Sequence, residues 1–394
     1  MSTAADSHSQ TVESLRSKIY DTGTSLLLGS SLLYGIELGL FRALSNRKLT
    51  CQQLCQQLSL DHRYTQEWLL HMCSNSIIAY DMFCEPYTYW LNEVQKQVLH
   101  DETSKFYTMG LIEFGVGCNI IHPKLLERWQ LGTESANTPS NCNSNTVSAC
   151  VNTSGNNGIL WNELDKRITD GLRRWFGVNY RHLLTQYWLP SISDDILQYI
   201  NTTTSNSNVA DIGCGHGLAT IQLAKYFNKS TVYGFDLDPQ SLNIAKEFAT
   251  KSQLNNVIFD TYDAQSFKSA VGKKFDLVFF FAAFHDMSNP QDIIKHVKSQ
   301  LNDNGAVILV EPYAGDTIHE SIKHPGVQLF SGVSLHYCTC CAKAYTSDKD
   351  ALVMGAVSTN DIYHKLWVEY GGFSRLRLLS PQNTPNNRLF EIRL

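Results

Sequence analysis

The sequence predicts an α/β protein: an open, parallel, Rossmann-like sheet with helices on both faces, preceded by a smaller α-helical winged-helix domain. Three observations carry that expectation. A strand at Val209 and Ala210 runs directly into Gly213, Gly215 and Gly217, and a helical pattern of Leu218, Ile221, Leu223, Ala224 and Phe227 begins at once. Glycine suits that turn because the chain bends sharply and a ligand must lie against bare backbone. Five apolar strands alternate with helical segments, which argues for a parallel sheet covered on both sides. Upstream, Ser25 to Leu91 has the short capped helices and paired strands of a winged helix.

The strands follow in order. Thr231 to Asp236 is the second, and Asp236 falls about 20 residues after the first glycine, where a carboxylate grips both hydroxyls of a ribose. Asp238 caps and Pro239 opens the next helix, Gln240 to Leu254. Val257 to Tyr262 is the third strand, with Asp263 and Ala264 just beyond its end. Phe275 to Phe281 is the fourth, and the segment after it holds Ala282, His285, Asp286 and Met287. Ala306 to Val310 is the fifth and ends in Glu311 and Pro312.

A dinucleotide fingerprint needs Gly-x-Gly-x-x-Gly, but that third position here is Leu218, and the third glycine comes one residue early at Gly217. No Lys-Ser/Thr pair follows, so a triphosphate loop is excluded. S-adenosylmethionine has adenine and ribose but no phosphate, and its ammonium accounts for an acid before the glycines, Asp211. The expected cofactor-binding set is Asp211, Gly213, Cys214, Gly215, His216, Asp236, Leu237, Asp263, Ala264 and Phe281.

These motifs, with His285-Asp-Met287 and Glu311-Pro-Tyr-Ala-Gly-Asp316, resemble class I S-adenosylmethionine-dependent methyltransferases, and more narrowly the bacterial-type subgroup with an N-terminal winged helix. The likeness is strongest from Tyr187 to Asp316. It implies a seven-stranded methyltransferase sheet whose last strand is antiparallel, with Phe373 to Leu379 and Arg388 to Leu394 as the final pair. It also implies that the first domain supports a homodimer and walls a small-molecule pocket. Two departures stand out: Ala282, where relatives often carry an acid, and the segment His319 to Tyr345, which should cap the pocket and matches least.

In the first domain, Thr50 caps a helix from Cys51 to Leu58, and Asp61 caps one from His62 to Asn75. Ile77 to Phe83 and Tyr87 to Leu91 read as the wing. Arg63 is the one firm cation of the helix that would read DNA, and duplex binding needs several, so no nucleic-acid partner is expected. A net charge of -5 argues against phosphate backbones and anionic membranes, and the longest apolar run, Leu277 to Phe284, is too short to span a bilayer. The start lacks a signal-peptide pattern, and eleven cysteines without disulfide spacing suit a cytoplasmic protein. Cys338, Cys340 and Cys341, with His336 nearby, lack the second pair of a closed zinc site, so no metal is expected. The expected organisation is a flexible N-terminus over 1–24, a winged-helix domain over 25–110 and a helical connector over 111–190 with a disordered insertion at 132–158. The methyltransferase domain occupies 191–394.

Methyl transfer is an in-line displacement at an activated carbon, so alignment supplies much of the rate. His285 is the leading candidate for a base, the alternative being that His285 and Asp286 only hold the loop. Glu311, at the end of the fifth strand, is a candidate for orienting a substrate hydroxyl or amine, the alternative being that it satisfies local backbone donors. The expected activity is methyl transfer to a small molecule, oxygen slightly favoured over nitrogen. The rival reading is a winged-helix regulator or cofactor-binding pseudo-enzyme that uses the fold as a ligand sensor.

Overall fold

A computed structural model describes residues 11–129, 158–202, 207–269, 272–346, 351–382, 384 and 386–394. The chain divides into two units, the first of residues up to 119 with 166–178, and the second of the remainder. The insertion expected at 132–158 lies outside the described residues, Gly158 excepted.

The first unit opens with α1, Val12–Glu37, so a helix replaces the flexible segment expected over its first residues up to 24. Thr11 caps it by accepting from the Ser14 N–H. α2 (Leu40–Asn46), β1 (Leu49–Thr50), α3 (Cys51–Leu58), α4 (His62–Ser74), β2 (Ala79–Asp81), β3 (Thr88–Trp90) and α5 (Glu93–Leu99) complete the winged helix. Thr50 and Gln53 form a reciprocal capping box on α3, and Asp61 accepts from the Arg63 and Tyr64 N–H groups at α4. The wing is a three-stranded antiparallel sheet in the order β1-β3-β2, shorter than its sequence pattern. α4 buries Trp68, Leu69 and Met72, while its cation Arg63 pairs with Glu67.

α6 (Met109–Ile120) and α7 (His122–Trp129) follow, and then α8 (Lys166–Asn179). The expected connector is therefore not one element: α6 and α8 belong to the first unit. They approach to backbone distance at Gly110 and Gly171, where an added Cβ would meet main-chain atoms at 2.5 Å. Phe114 packs on Trp175, and the largely buried Arg174 guanidinium meets the buried Glu113 carboxylate at 2.7 Å.

In the second unit α9 (Asp194–Thr202) leads into β4 (Asn208–Ile212), α10 (Leu218–Tyr226), β5 (Thr231–Asp236) and α11 (Pro239–Lys251). β6 (Val257–Thr261), β7 (Phe275–Phe281), α12 (Pro290–Gln300) and β8 (Leu301–Pro312) complete the parallel part. Four cap helices follow, α13 (Ile318–Lys323), α14 (Pro325–Val333), α15 (Thr339–Ala344) and α16 (Asn360–His364), and then β9 (Arg375–Leu379) and β10 (Asn387–Arg393). The sheet has seven strands in the order β6-β5-β4-β7-β8-β10-β9, and β10 runs antiparallel to both neighbours.

β7 shows why the fold is stable. All seven residues are buried; Val278 and Phe280 enter one core with Tyr233, Phe284, Trp367 and Phe390, while Leu277, Phe279 and Phe281 enter the other with Trp188, Phe227 and Leu389. A strand period of two feeds both layers, and each large side chain contributes roughly 1.5–3 kcal/mol by leaving water. β8 runs longer than its apolar core because Leu301 to Gly305 precede it as extended chain, with a register shift opposite Phe275 and Leu277. Among the described residues no single helix is long and apolar enough to cross a membrane.

Candidate functional site

The strand order reverses beside β4, with β5 on one flank and β7 on the other. Crevices at such a switch point, outside the carboxyl ends of the strands, are where open α/β sheets place ligands. The turn after β4 and the loop after β7 meet there.

The turn is built by its glycines. Gly215 has φ +51°, and a Cβ on it would stand in open space facing no protein atom within 4 Å, so the backbone there is bare toward the crevice. Gly217 has φ +70° and caps α10, where a Cβ would lie 2.7 Å from Ala245 Cβ and from the Phe259 ring. One glycine leaves room for a ligand and the other lets the helix pack close to its neighbours.

Asp236, at the end of β5, accepts from the Gly215 N–H at 2.7 Å through Oδ2 and from the Asp238 N–H at 2.9 Å through Oδ1. Burial pushes its pKa up, against those two donors. Each oxygen retains a lone pair for a ligand hydroxyl. Asp211, at the end of β4, is buried; its Oδ2 accepts from Thr220 Oγ1 at 2.6 Å, while Oδ1 is buried with no hydrogen-bond partner. Burial pushes the Asp211 carboxyl up to about 7.

A cavity links these features. Gly213, Gly215, Asp236, Leu237, Asp263 and Ala264 line it. Ala282, Asp286, Met287, Tyr337 and Cys341 line it too, and Gly213 faces Met287 closely enough that an added Cβ would lie 3.0 Å from its Cε. Of the residues expected to hold cofactor, Asp211, Cys214, His216 and Phe281 are not on the wall. Asp211 lies beneath the turn, and Cys214 packs toward Phe259 and Gly234. Phe281 points to the opposite core against Trp188 and Tyr180, because the strand period assigns it to that face. His216 is buried inside the turn.

The segment expected to cap the pocket, His319 to Tyr345, supplies Tyr337 and Tyr345 to an aromatic wall that Trp161, not singled out from the sequence, completes. Trp161 donates from Nε1 to Asp238 Oδ2 at 3.2 Å and from its backbone N–H to the Tyr345 hydroxyl at 3.2 Å, and its ring meets Tyr337 edge-on. These residues lie far apart in the chain, and only the cap fold joins them to the turn. Ala282, the departure from the family pattern, has φ +50° at the cavity edge, a left-handed conformation that costs a non-glycine residue energy and marks a constrained turn.

His285 and Glu311 both lie off the cavity wall. Glu311 is fully buried and off the wall; it accepts from the Phe284 N–H at 3.2 Å and the Tyr363 hydroxyl at 3.2 Å, and it contacts His285 Nδ1. It therefore orients protein groups, not a substrate. His285 is buried with Nδ1 on Glu311 and Nε2 3.0 Å from Asp286 Oδ1. Burial opposes a charge on the ring, but the Asp286 and Glu311 carboxylates outweigh it and raise the imidazole well above its ordinary pKa. The group of this cluster that reaches the cavity is Asp286.

The unpartnered Asp211 oxygen beneath the turn, the open side of Gly215 and the anchored Asp236 fit an amino, ribose and adenine ligand without phosphate. Two family descriptions match the chain: Methyltransferase domain over residues 203–366, and Rv2258c-like winged HTH domain over residues 28–100. The ubiquinone biosynthesis O-methyltransferase of Saccharomyces cerevisiae is 26% identical over 145 residues, covering 36% of this chain and 46% of that protein. A tRNA U34 carboxymethyltransferase of Campylobacter jejuni is 25% identical over 205 residues, covering 51% of this chain and 60% of that protein. The chain thus spans about half the length of these curated relatives. The solved structure of PigF with SAH aligns at a TM-score of 0.67 and 13% identity over 98% of this chain and 99% of that one, a likeness of fold. The chain thus joins an N-terminal winged helix-turn-helix domain, over residues 28–100, to a methyltransferase domain, over residues 203–366.

Proposed function

We propose that the chain methylates a hydroxyl oxygen of a small molecule held in the cavity beside the cofactor. The observation that carries this reading is that one cavity is lined both by Gly215 and Asp236 of the glycine turn and by Asp286, Tyr337 and Cys341. A walled site with aromatic faces suits a compact acceptor and favours a neighbouring sulfonium. The bound cofactor supplies an activated methyl group. The protein's own residues position that group and the acceptor, exclude water, and hold a carboxylate where a hydroxyl proton is lost. Asp286 is that carboxylate, backed by the buried His285 and Glu311. The exposed apolar residues of α1, among them Val12, Ile19 and Leu27, support the expected pairing of two copies through the first unit.

The test is direct. Purified full-length chain is incubated with labelled S-adenosylmethionine and panels of phenols and quinols, amines, carboxylic acids and bulk tRNA, and S-adenosylhomocysteine is quantified. Turnover confined to hydroxyl compounds is the expected result. Label transferred to tRNA, or to amines alone, overturns it.

Asp211 makes the binding step depend on pH. Its raised pKa means the folded, cofactor-free chain holds this proton more tightly than the unfolded chain, so stability falls as pH rises from about 4 to about 7. A nearby ammonium favours the carboxylate instead. Cofactor affinity is therefore expected to rise roughly eightfold from pH 6 to pH 7.5 as Asp211 ionises. Calorimetric titration at both pH values measures it, and Asp211→Asn should flatten the difference; an equally steep profile in that variant removes Asp211 from the account.

A further inference from the structure

We propose that His285, Asp286 and Cys338 form a binding site for a single zinc-class divalent cation, tying the cap to the sheet where Asp286 meets the cavity. Sequence spacing directs attention to Cys338, Cys340, Cys341 and His336, but the fold separates them. His336 Nδ1 contacts the Gly332 carbonyl, and the Cys340 thiol faces the Tyr337 carbonyl at 3.1 Å. Cys338 turns the other way. One donor atom each from His285, Asp286 and Cys338 lies within 4.8 Å of the others, although the cysteine is more than fifty residues from the pair.

Four further observations favour an ion here. Donor atoms around a tetrahedral zinc stand about 3.3–3.8 Å apart, given bonds of about 2.0–2.3 Å, so a small contraction closes this set. Imidazole, carboxylate and thiolate in one site select zinc over calcium or magnesium. Two anionic ligands balance the two charges of a dication, so the ligand set itself is neutral when the ion is bound. Asp286 Oδ1 and His285 Nε2 already stand 3.0 Å apart, close to the separation of two ligand atoms on one ion.

The surroundings also match. A metal-binding histidine usually donates its other ring N–H to a carboxylate, which fixes its tautomer, and Glu311 already contacts His285 Nδ1. Cys338 sits on the cap segment Ser334–Cys338, whereas His285 and Asp286 sit on the loop after β7, so the ion joins two parts of the wall. Three protein ligands leave one of zinc's four positions for water or for an acceptor hydroxyl. A hydroxyl in that position loses its proton more readily, so in the loaded protein the ion takes over the task of the Asp286 carboxylate. The site itself does not depend on the methyl-transfer reading.

The experiment uses the full chain stripped of metal under reducing conditions and titrated with cobalt(II). The expected result is one equivalent bound, with a thiolate-to-cobalt charge-transfer band that zinc abolishes. Cys338→Ser should remove the band, and His285→Gln should weaken binding at least tenfold. Cys340→Ser and Cys73→Ser should behave as wild type. Asp286→Asn, nearly isosteric and at the edge of the cavity, serves if the buried variants unfold, which circular dichroism reports; it too should lose at least tenfold in affinity. No stoichiometric binding by the wild-type chain, or an unchanged band in Cys338→Ser, overturns the proposal. S-adenosylmethionine affinity, measured on stripped and zinc-loaded chain, is a separate readout: its absence in both counts against the methyl-donor reading and leaves the ion site standing.

Discussion

Asp236→Ala is expected to weaken S-adenosylmethionine binding about 100-fold or more. The carboxylate can accept from both ribose hydroxyls, and hydrogen bonds to a charged group contribute roughly 1.5–3 kcal/mol each. Two of them exceed the 2.7 kcal/mol or so that corresponds to a factor of 100. The substitution also strands the Gly215 and Asp238 N–H groups that Asp236 now holds, loosening the turn itself. Asp236→Asn keeps the shape and part of the acceptor capacity, and an intermediate loss near tenfold is expected. Titration calorimetry, with thermal unfolding as the control for the fold, checks both. Affinity within threefold of wild type in the alanine variant removes the ribose assignment.

Glu311→Ala is expected to reduce folding stability by about 3–5 kcal/mol, the range for removing one partner of a buried charged pair. The carboxylate is fully buried and serves the Phe284 N–H, the Tyr363 hydroxyl and His285 together. Alanine leaves all three without that acceptor in a core that water does not reach. Glu311→Gln should cost less, because the amide oxygen still accepts from Phe284 or Tyr363. Urea denaturation of the three proteins measures the order. A loss below about 1 kcal/mol for the alanine variant rules out a structural role for this residue, and a direct contact with substrate regains its place.

Much of the parallel sheet was legible in the chain. β7 matched its run from Phe275 to Phe281, and β5 its run from Thr231 to Asp236, because largely buried strands bounded by turns leave a nearly continuous hydrophobic signature. The caps at Thr50, Asp61 and Asp238 were legible for a similar reason: a short polar side chain satisfies the N–H groups of the next two or three residues. The glycine turn with Asp236 was readable because its demands on φ and on the ribose are local.

Other features were not readable. Phe281 was assigned to the cofactor, but the two-residue period of β7 turns its ring to the opposite core. Glu311, at a strand end, was open to two readings, a substrate group or local backbone donors, and only the packing of Tyr363, Phe284 and His285 around it decides for the second. Helix α1 begins well before the residue where its apolar pattern starts, since its first turns are exposed and carry little hydrophobic period.

The sequence by itself determined the strand order of events, the turn and the class of ligand that turn accepts, because those rest on backbone conformation and on neighbours within a few residues. Only the tertiary structure decided which side chains reach the cavity. Trp161, Tyr337 and Cys341 come to its wall, Asp286 reaches it where His285 does not, and Cys338 meets the pair that precedes it by more than fifty residues. These are contacts between distant segments, set by how the cap packs on the sheet, and no local pattern encodes such packing.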